Sequence, residues 1–213
     1  MQTSRGFEDS AKPLSDTLRE LIEGIRGNTV TLRQLMDAIG EQGLLLVCAL
    51  ASLPFLIPVS IPGVSTVFGA AIILVSIAVF LNRLPWMPKR ILDRQLETSK
   101  LLPALQRGVG IVSRIDGYLK PRLLAMTSTS SVNRLNALSI TLGGILLMFP
   151  LGLVPFSNTL PAIAILLTAV GMIQRDGLVI LGGYLFLFAT MIYFSVLGFF
   201  ALRAGQGLAS FFS

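Results

Sequence analysis

The sequence predicts an all-α integral membrane protein built on two duplicated, proline-broken helical hairpins, and three observations carry that prediction. First, Gly43–Asn82 and Leu135–Gln174 are runs of equal length, and neither holds a charged residue. A charge at the bilayer centre is costly, so runs of this kind belong to membrane segments. Second, the two runs start 92 positions apart and are followed by Arg83 and Arg175. Third, each is broken near its middle. Pro54, Pro58, Pro62-Gly63 and Ser65-Thr66 interrupt the first, and Pro150, Pro155 and Ser157-Asn158-Thr159 the second.

Composition agrees. Charged residues are 13% of the 213 and hydrophobic ones 53%, with a mean hydropathy of +0.77. A soluble domain carries about 25% charge. A further uncharged run, Gly177–Leu202, is long enough to span. Positions 1–42 hold five Lys/Arg and seven Asp/Glu, and no cleavable leader is visible there. The first membrane segment is therefore expected to insert from inside. Positions 83–134 hold ten Lys/Arg against three Asp/Glu. Between membrane segments such an excess marks the cytoplasmic side, and nucleic acid is not expected as a partner.

The elements follow in order. Leu14, Leu18, Leu21, Ile22 and Ile25 recur at helical spacing, which predicts an amphipathic helix ended by Gly27-Asn28. Thr31-x-x-Gln34 reads as a capping box opening the next helix, continued through Leu44–Leu53. Pro54, Pro58 and Pro62 cannot all sit in one regular helix, because each removes a backbone donor and crowds the preceding turn. Val64–Asn82 is the outgoing helix. The second half repeats the plan, with Val132–Met148 incoming, Pro150–Phe156 the break and Ser157–Gln174 outgoing. Aligning 58–83 with 150–175 without gaps pairs Pro58 with Pro150, Ser65 with Ser157 and Arg83 with Arg175.

Between the halves, Trp86 between Pro85 and Pro88 suits an interfacial anchor, and Leu101, Leu105, Val112, Ile115 and Leu119 suit in-plane amphipathic helix. The chain thus divides into 1–42, an amphipathic helical region; 43–83, the first hairpin; 84–131, the basic linker; 132–176, the second hairpin; and 177–213, a C-terminal transmembrane helix and tail. The hairpins either cross the membrane or re-enter from one face. The repeat is parallel if both enter from the cytoplasm and inverted if a linker helix crosses.

Several chemistries are excluded by residue type. There is no histidine, hence no histidine proton shuttle, ligand or triad. No paired carboxylates lie in a membrane run and there is no Asp-x-Asp motif, so neither a metal site nor an enzyme is expected, and no cofactor is called for. The single Cys48, inside an apolar run, is expected to be inert packing. Glu41 and Asp176 flank the runs, so direct proton coupling is weakly supported.

The breaks are the candidate site. Irregular backbone is tolerated at membrane depth where it is buried in protein or lines a wet cavity. Helix N-termini present unpaired N–H groups and a positive dipole end, which suits an anion. The expected substrate-binding residues are Pro58, Pro62, Gly63, Ser65, Thr66, Pro150, Pro155, Ser157 and Asn158, with Arg83 and Arg175 as headgroup contacts. The bland alternative is that the hydroxyls and Asn158 cap the helices, the prolines lock a turn and the arginines anchor the inner face. Gly143-Gly144, Gly182-Gly183 and Gly198 allow close helix packing or a homodimer seam. Tyr184 and Tyr193 in the last span carry at most a weak expectation of a pore role.

The Pro54-Phe55-x-x-Pro58-x-x-x-Pro62-Gly63-x-Ser65 string, the Asn82-Arg83-x-Pro85-Trp86-x-Pro88 string and the Pro150…Pro155…Asn158…Pro161 pattern together resemble the ExoD-type exopolysaccharide synthesis family of bacterial membrane proteins, over roughly residues 14–204. The resemblance implies a bacterial inner-membrane, multi-pass protein associated with exopolysaccharide production and growth in alkaline media, without fixing an activity. The break is also similar in architecture to DedA-type proteins, which have re-entrant hairpins and handle polyprenyl phosphates. This chain lacks the acidic motif residues expected there. Two functions remain in view: a transporter or lipid-carrier translocase for an anionic small molecule or lipid-linked substrate, and a non-catalytic accessory subunit of a polysaccharide assembly complex.

Overall fold

The computed structural model describes residues 14–25, 27, 29–56, 63–82, 93, 95–99, 122–149 and 154–209, with a few single positions between 102 and 113. Over these residues the chain is helical, apart from one short two-stranded ribbon. Helix α1 is Leu14–Gly24, strand β1 Thr29–Thr31 and helix α2 Leu32–Ser52. Helix α3 is Val64–Phe80, strand β2 Gln95–Glu97, helix α4 Ser130–Leu147, helix α5 Thr159–Ile173 and helix α6 Gly177–Ala209.

Helix α2 opens on the expected capping box. The Gln34 amide donates to Thr31 Oγ1 at 3.2 Å and the Thr31 amide to Gln34 Oε1 at 3.0 Å. The helix runs on toward Pro54, but it kinks at Gly40, whose φ of 59° is open to glycine and strained for other residues. Pro54 then sits in a 3₁₀ turn, Leu53–Leu56, which tightens and ends the helix.

Helices α2, α3, α4 and α5 form a closed ring. Each neighbouring pair is in contact: α2 with α3, α3 with α4, α4 with α5, and α5 back with α2. Helix α6 lies outside the ring against α5. Close crossings fix the pairs. A side chain on Gly69 of α3 would meet the Gly144 carbonyl of α4, and one on Gly143 of α4 would meet Ile165 of α5. Gly183 of α6 abuts Thr168 and the Ala164 carbonyl of α5. These contacts place Gly143, Gly144 and Gly183 in seams within one chain. A side chain on Gly198 would meet none of the described residues within 4 Å.

Direction follows from which residues meet. Gly69 near the start of α3 lies beside Met148 at the end of α4, and Ser76 Oγ is 2.8 Å from Thr141 Oγ1. Helices α3 and α4 are therefore antiparallel, and the two breaks fall at the same end of the ring. The 3₁₀ turn of the first break contacts α5, as Met148 at the second break contacts α3. The opposite end closes each hairpin at its base. There β1 pairs antiparallel with β2, Thr29 with Glu97 through Thr31 with Gln95. Arg122 bridges to Asp176, the Gly177 amide donating to the Arg122 carbonyl at 2.7 Å. This ribbon was not expected from sequence, and most of the linker predicted as in-plane helix, Trp86 included, lies outside the described residues.

The bundle is apolar outside and partly polar inside. Val67, Leu74 and Ile77 of α3, Leu135 and Leu138 of α4, and Leu185 and Phe188 of α6 are exposed. Ser52, Ser76, Asn136, Thr168 and Thr190 are buried. Soluble proteins show the reverse preference. Among the described residues one helix, α6 over Gly177–Ala201, is long and apolar enough to cross a membrane; Gly40–Leu56, Val64–Phe80 and Thr159–Ile173 are shorter apolar helices.

Candidate functional site

The backbone corrects the register expected between the halves. Gly63 and Phe156 both adopt positive φ, 84° and 62°, immediately before an outgoing helix or its first turn. Asn82 and Arg175 adopt positive φ, 50° and 53°, just after it. Both pairs are 93 positions apart. The first backbone bonds of the two helices, Val67 to the Gly63 carbonyl and Leu160 to the Phe156 carbonyl, keep that spacing. The buried positions of α3, among them Gly69, Ile72 and Val75, fall on the buried Ala162, Ile165 and Thr168 of α5 at the same spacing. The incoming helices instead match at 92, with the buried Leu44, Leu45 and Cys48 on Asn136, Ala137 and Ile140. The second break is thus one residue longer than the first. Arg175 corresponds to Asn82 and not to Arg83, and Ser65 corresponds to Asn158 and not to Ser157.

The candidate residues divide by environment. Gly63 forms the N-cap of α3 in left-handed conformation, with no side chain to cap the helix. Ser65, in the first turn, is buried, while Thr66 beside it is exposed. At the second break Ser157 and Asn158 are both buried. Ser157 Oγ donates to the Val154 carbonyl at 2.9 Å, so it braces the turn rather than capping the helix. Asn158 stands at the N-cap position of α5 but makes no side-chain cap. Pro155 is exposed, and its carbonyl accepts from the Tyr193 hydroxyl at 2.7 Å. Pro58, Pro62, Pro150 and Arg83 lie outside the described residues.

The same-end geometry brings Gly63, Ser65 and Thr66 to the end of the ring that holds Pro155, Ser157 and Asn158. Arg175 is left at the far end, beyond the C-terminus of α5, where α3 ends on Asn82. It cannot reach a ligand at the breaks, since α5 rises about 22 Å between them. Its left-handed conformation reads as helix termination.

Sequence reasoning missed what the tyrosines do. Tyr193 ties α6 to the second break, and Phe194 beside it stacks edge-on against Phe149 at 5.6 Å. The Tyr184 hydroxyl donates to Asn136 Oδ1 at 2.6 Å, and Asn136 Nδ2 donates to the Met126 carbonyl at 2.9 Å. Both tyrosines satisfy buried or freed acceptors, which in an apolar setting is costly to leave undone. Spacing gives no signal for this: Tyr184 and Tyr193 are nine residues apart, which puts them on opposite sides of α6. Asp176 is buried between α5 and α6, and its Oδ1 accepts from the Leu178 amide at 3.0 Å, which makes it a helix cap. Cys48 is fully buried, its thiol 4.0 Å from the Ile72 carbonyl.

Comparison with known proteins gives a consistent answer. The family described as "Exopolysaccharide synthesis, ExoD" matches residues 14–196. Protein ExoD of Rhizobium meliloti (strain 1021) is 64% identical over 206 residues, covering 97% of this chain and 86% of its own length. An uncharacterized protein of Synechocystis sp. is 31% identical over 162 residues, covering 76% of this chain and 75% of its own. No solved structure matches the chain.

Proposed function

The chain belongs to the ExoD family of exopolysaccharide-synthesis proteins, and from that premise we propose that it is a multi-pass inner-membrane carrier of an anionic substrate of that process, bound where its two breaks come together. The observation that carries this reading is the placement of both breaks at one end of the ring. Two half-helices, α3 and α5, begin there without a side-chain cap. Helix α3 leaves the amides ahead of Val67, while at α5 the Leu160 and Ala162 amides are bonded and Pro161 has none, so that end contributes mainly its positive dipole. The substrate class that such an end favours is a phosphate or carboxylate, free or on a lipid carrier.

The apolar exterior supports multiple membrane passes. Leucines and valines face outward on α2, α3, α4 and α6, while hydroxyls and Asn136 lie inside. Lipid, unlike water, does not penalise the first and makes internal hydrogen bonding of the second obligatory. The matched φ landmarks support an internal duplication of the parallel kind, both hairpins entering from the basic face.

The test is Thr66→Asp, an exposed position in the first turn of α3. Negative charge there should repel an anion drawn by two helix ends that contribute on the order of 1 kcal/mol each. Exopolysaccharide output should fall sharply in cells complemented with this variant, with the protein present at normal level. Thr66→Asn should retain output. If Thr66→Asp is fully active while charge reversals in the linker abolish output, the accessory-subunit reading takes its place.

A further inference from the structure

We infer that the base of the second hairpin is a docking surface for an anionic phospholipid of the inner leaflet, with Arg122 and Arg134 on its headgroup and the leucines beside them along its acyl chains. This rests on the membrane reading above, and it concerns the end of the ring opposite the breaks.

Three separate stretches of chain meet at that base. The 3₁₀ turn Leu124–Met126 is one, the start of α4 another, and the link from α5 to α6 the third. The Gly177 amide donates to the Arg122 carbonyl at 2.7 Å, and Asn136 Nδ2 donates to the Met126 carbonyl at 2.9 Å. A side chain on Gly177 would meet Leu123 and Met126. These bonds hold the three stretches at one level.

At that level each stretch passes from a cation to exposed leucine. Arg122 is exposed and is followed by Leu123 and Leu124, both exposed. Arg134 is exposed and is followed by Leu135 and by Leu138, one turn on along α4, both exposed. Arg175 is followed, after Asp176, by the exposed Leu178. An exposed leucine is unfavourable toward water and neutral toward lipid tails. An arginine at the edge of the tails extends its guanidinium to the headgroups. Coincident steps on three stretches therefore mark one boundary between tails and headgroups.

Charge selects the lipid. Between Asp116 and Asp176 the chain has no Asp or Glu, and it has Lys120, Arg122, Arg134 and Arg175. Asp176 is buried, and its Oδ1 accepts from the Leu178 amide. The exposed charge of these three stretches is thus positive. A zwitterionic headgroup brings its own cation to its phosphate, whereas a net-anionic one draws its partner from the protein. The guanidinium fork matches phosphate oxygens in geometry as well as charge.

The experiment follows thermal unfolding of purified protein in an uncharged detergent. It is titrated with phosphatidylglycerol, with phosphatidylcholine of the same chains, or with inorganic phosphate. A ligand that binds the folded state raises the midpoint. Phosphatidylglycerol should do so at a concentration about tenfold or more below phosphatidylcholine, and high salt should narrow that gap. Arg122→Gln and Arg134→Gln should each weaken phosphatidylglycerol about fivefold, and together should erase its advantage. Arg122→Lys with Arg134→Lys should keep most of it, since the charge is retained. Equal action of the two lipids on wild-type protein, a gap indifferent to salt, or an advantage that survives the double Gln variant overturns the inference and leaves the membrane reading standing. The salt arm needs no variant, so it decides even where the Gln variants do not fold. An equal shift with inorganic phosphate would make this a free-anion site, and an advantage lost in Thr66→Asp would put the lipid at the breaks; either overturns it. Protein that is monodisperse without detergent and unmoved by either lipid would remove the membrane reading itself.

Discussion

The first hairpin and the second share one plan and differ in how their breaks are held. Both present a left-handed residue at the start of the outgoing helix, Gly63 in one and Phe156 in the other. Glycine adopts that conformation freely, whereas a bulky aromatic is held there at a cost of order 1–3 kcal/mol. The second break has the means to hold it. Ser157 braces its turn, Tyr193 takes the Pro155 carbonyl, and Phe194 packs on Phe149. The described part of the first break packs through the edge-on contact of Phe55 with Phe68 at 5.7 Å and through its 3₁₀ turn on α5. Helix α6 covers α5, while the corresponding face of α3, with Val67 and Leu74, is exposed. The difference teaches that near-equal sequence plans need not be held alike: among the described residues the second break is tied to α6, while the first meets α5 through its 3₁₀ turn.

The sharpest way to break this comparison is at the crossings. Gly69→Leu should cost about 3 kcal/mol or prevent folding, because the added carbon meets the Gly144 carbonyl backbone. At the corresponding position of α5, Ala162→Gly should be much milder. Yield and thermal unfolding in detergent would rank them. Next, Tyr184→Phe should cost about 1–3 kcal/mol by leaving the buried Asn136 carbonyl oxygen without its donor.

Tyr193→Phe should cost about 1 kcal/mol globally. Its diagnostic effect is local: faster amide exchange over 154–160 with no change over 53–56. Exchange that rises equally in both breaks would remove the distinction between a break tied to α6 and one that is not. The smallest effect is expected at the seam between α3 and α4. Ser76→Ala with Thr141→Ala replaces a hydroxyl pair by the alanines already present at the corresponding Ala169 and Ala49, and should change stability by only about 0.6 kcal/mol.

Much of this plan is legible in the sequence, for reasons that can be located. Pro54 and the Thr31 and Gln34 pair act within a single turn, so their consequences, a helix end and a capping box, need no tertiary context. The uncharged runs report the environment of whole segments. The register between the halves is not legible, because apolar helices give chance identities at neighbouring offsets. The extra residue in the second break then shifts Arg83 and Ser157 off their expected partners. The short strands β1 and β2 cannot show alternation in a charged linker. The tyrosine hydroxyls are assigned only once α6 is docked. For the candidate site, the sequence locates both breaks, while their convergence at one end depends on the antiparallel packing of α3 on α4.

The base of the molecule has a consequence for how it is made. Strand β1 finds its partner only after the whole first hairpin has been synthesised, since Thr31 waits for Gln95 and Thr29 for Glu97. At a synthesis rate of about 5–20 residues per second, the N-terminal segment spends several seconds without that partner. By the time β2 emerges from the ribosome, the ribbon can close only if the hairpin has brought both of its ends back to one face. Arg122 and Asp176 set the same condition for the second hairpin. On the membrane reading proposed above, each base pairing would act as a checkpoint on insertion: a hairpin that threads the wrong way would not latch, and its unlatched flanks would remain open to quality-control proteases.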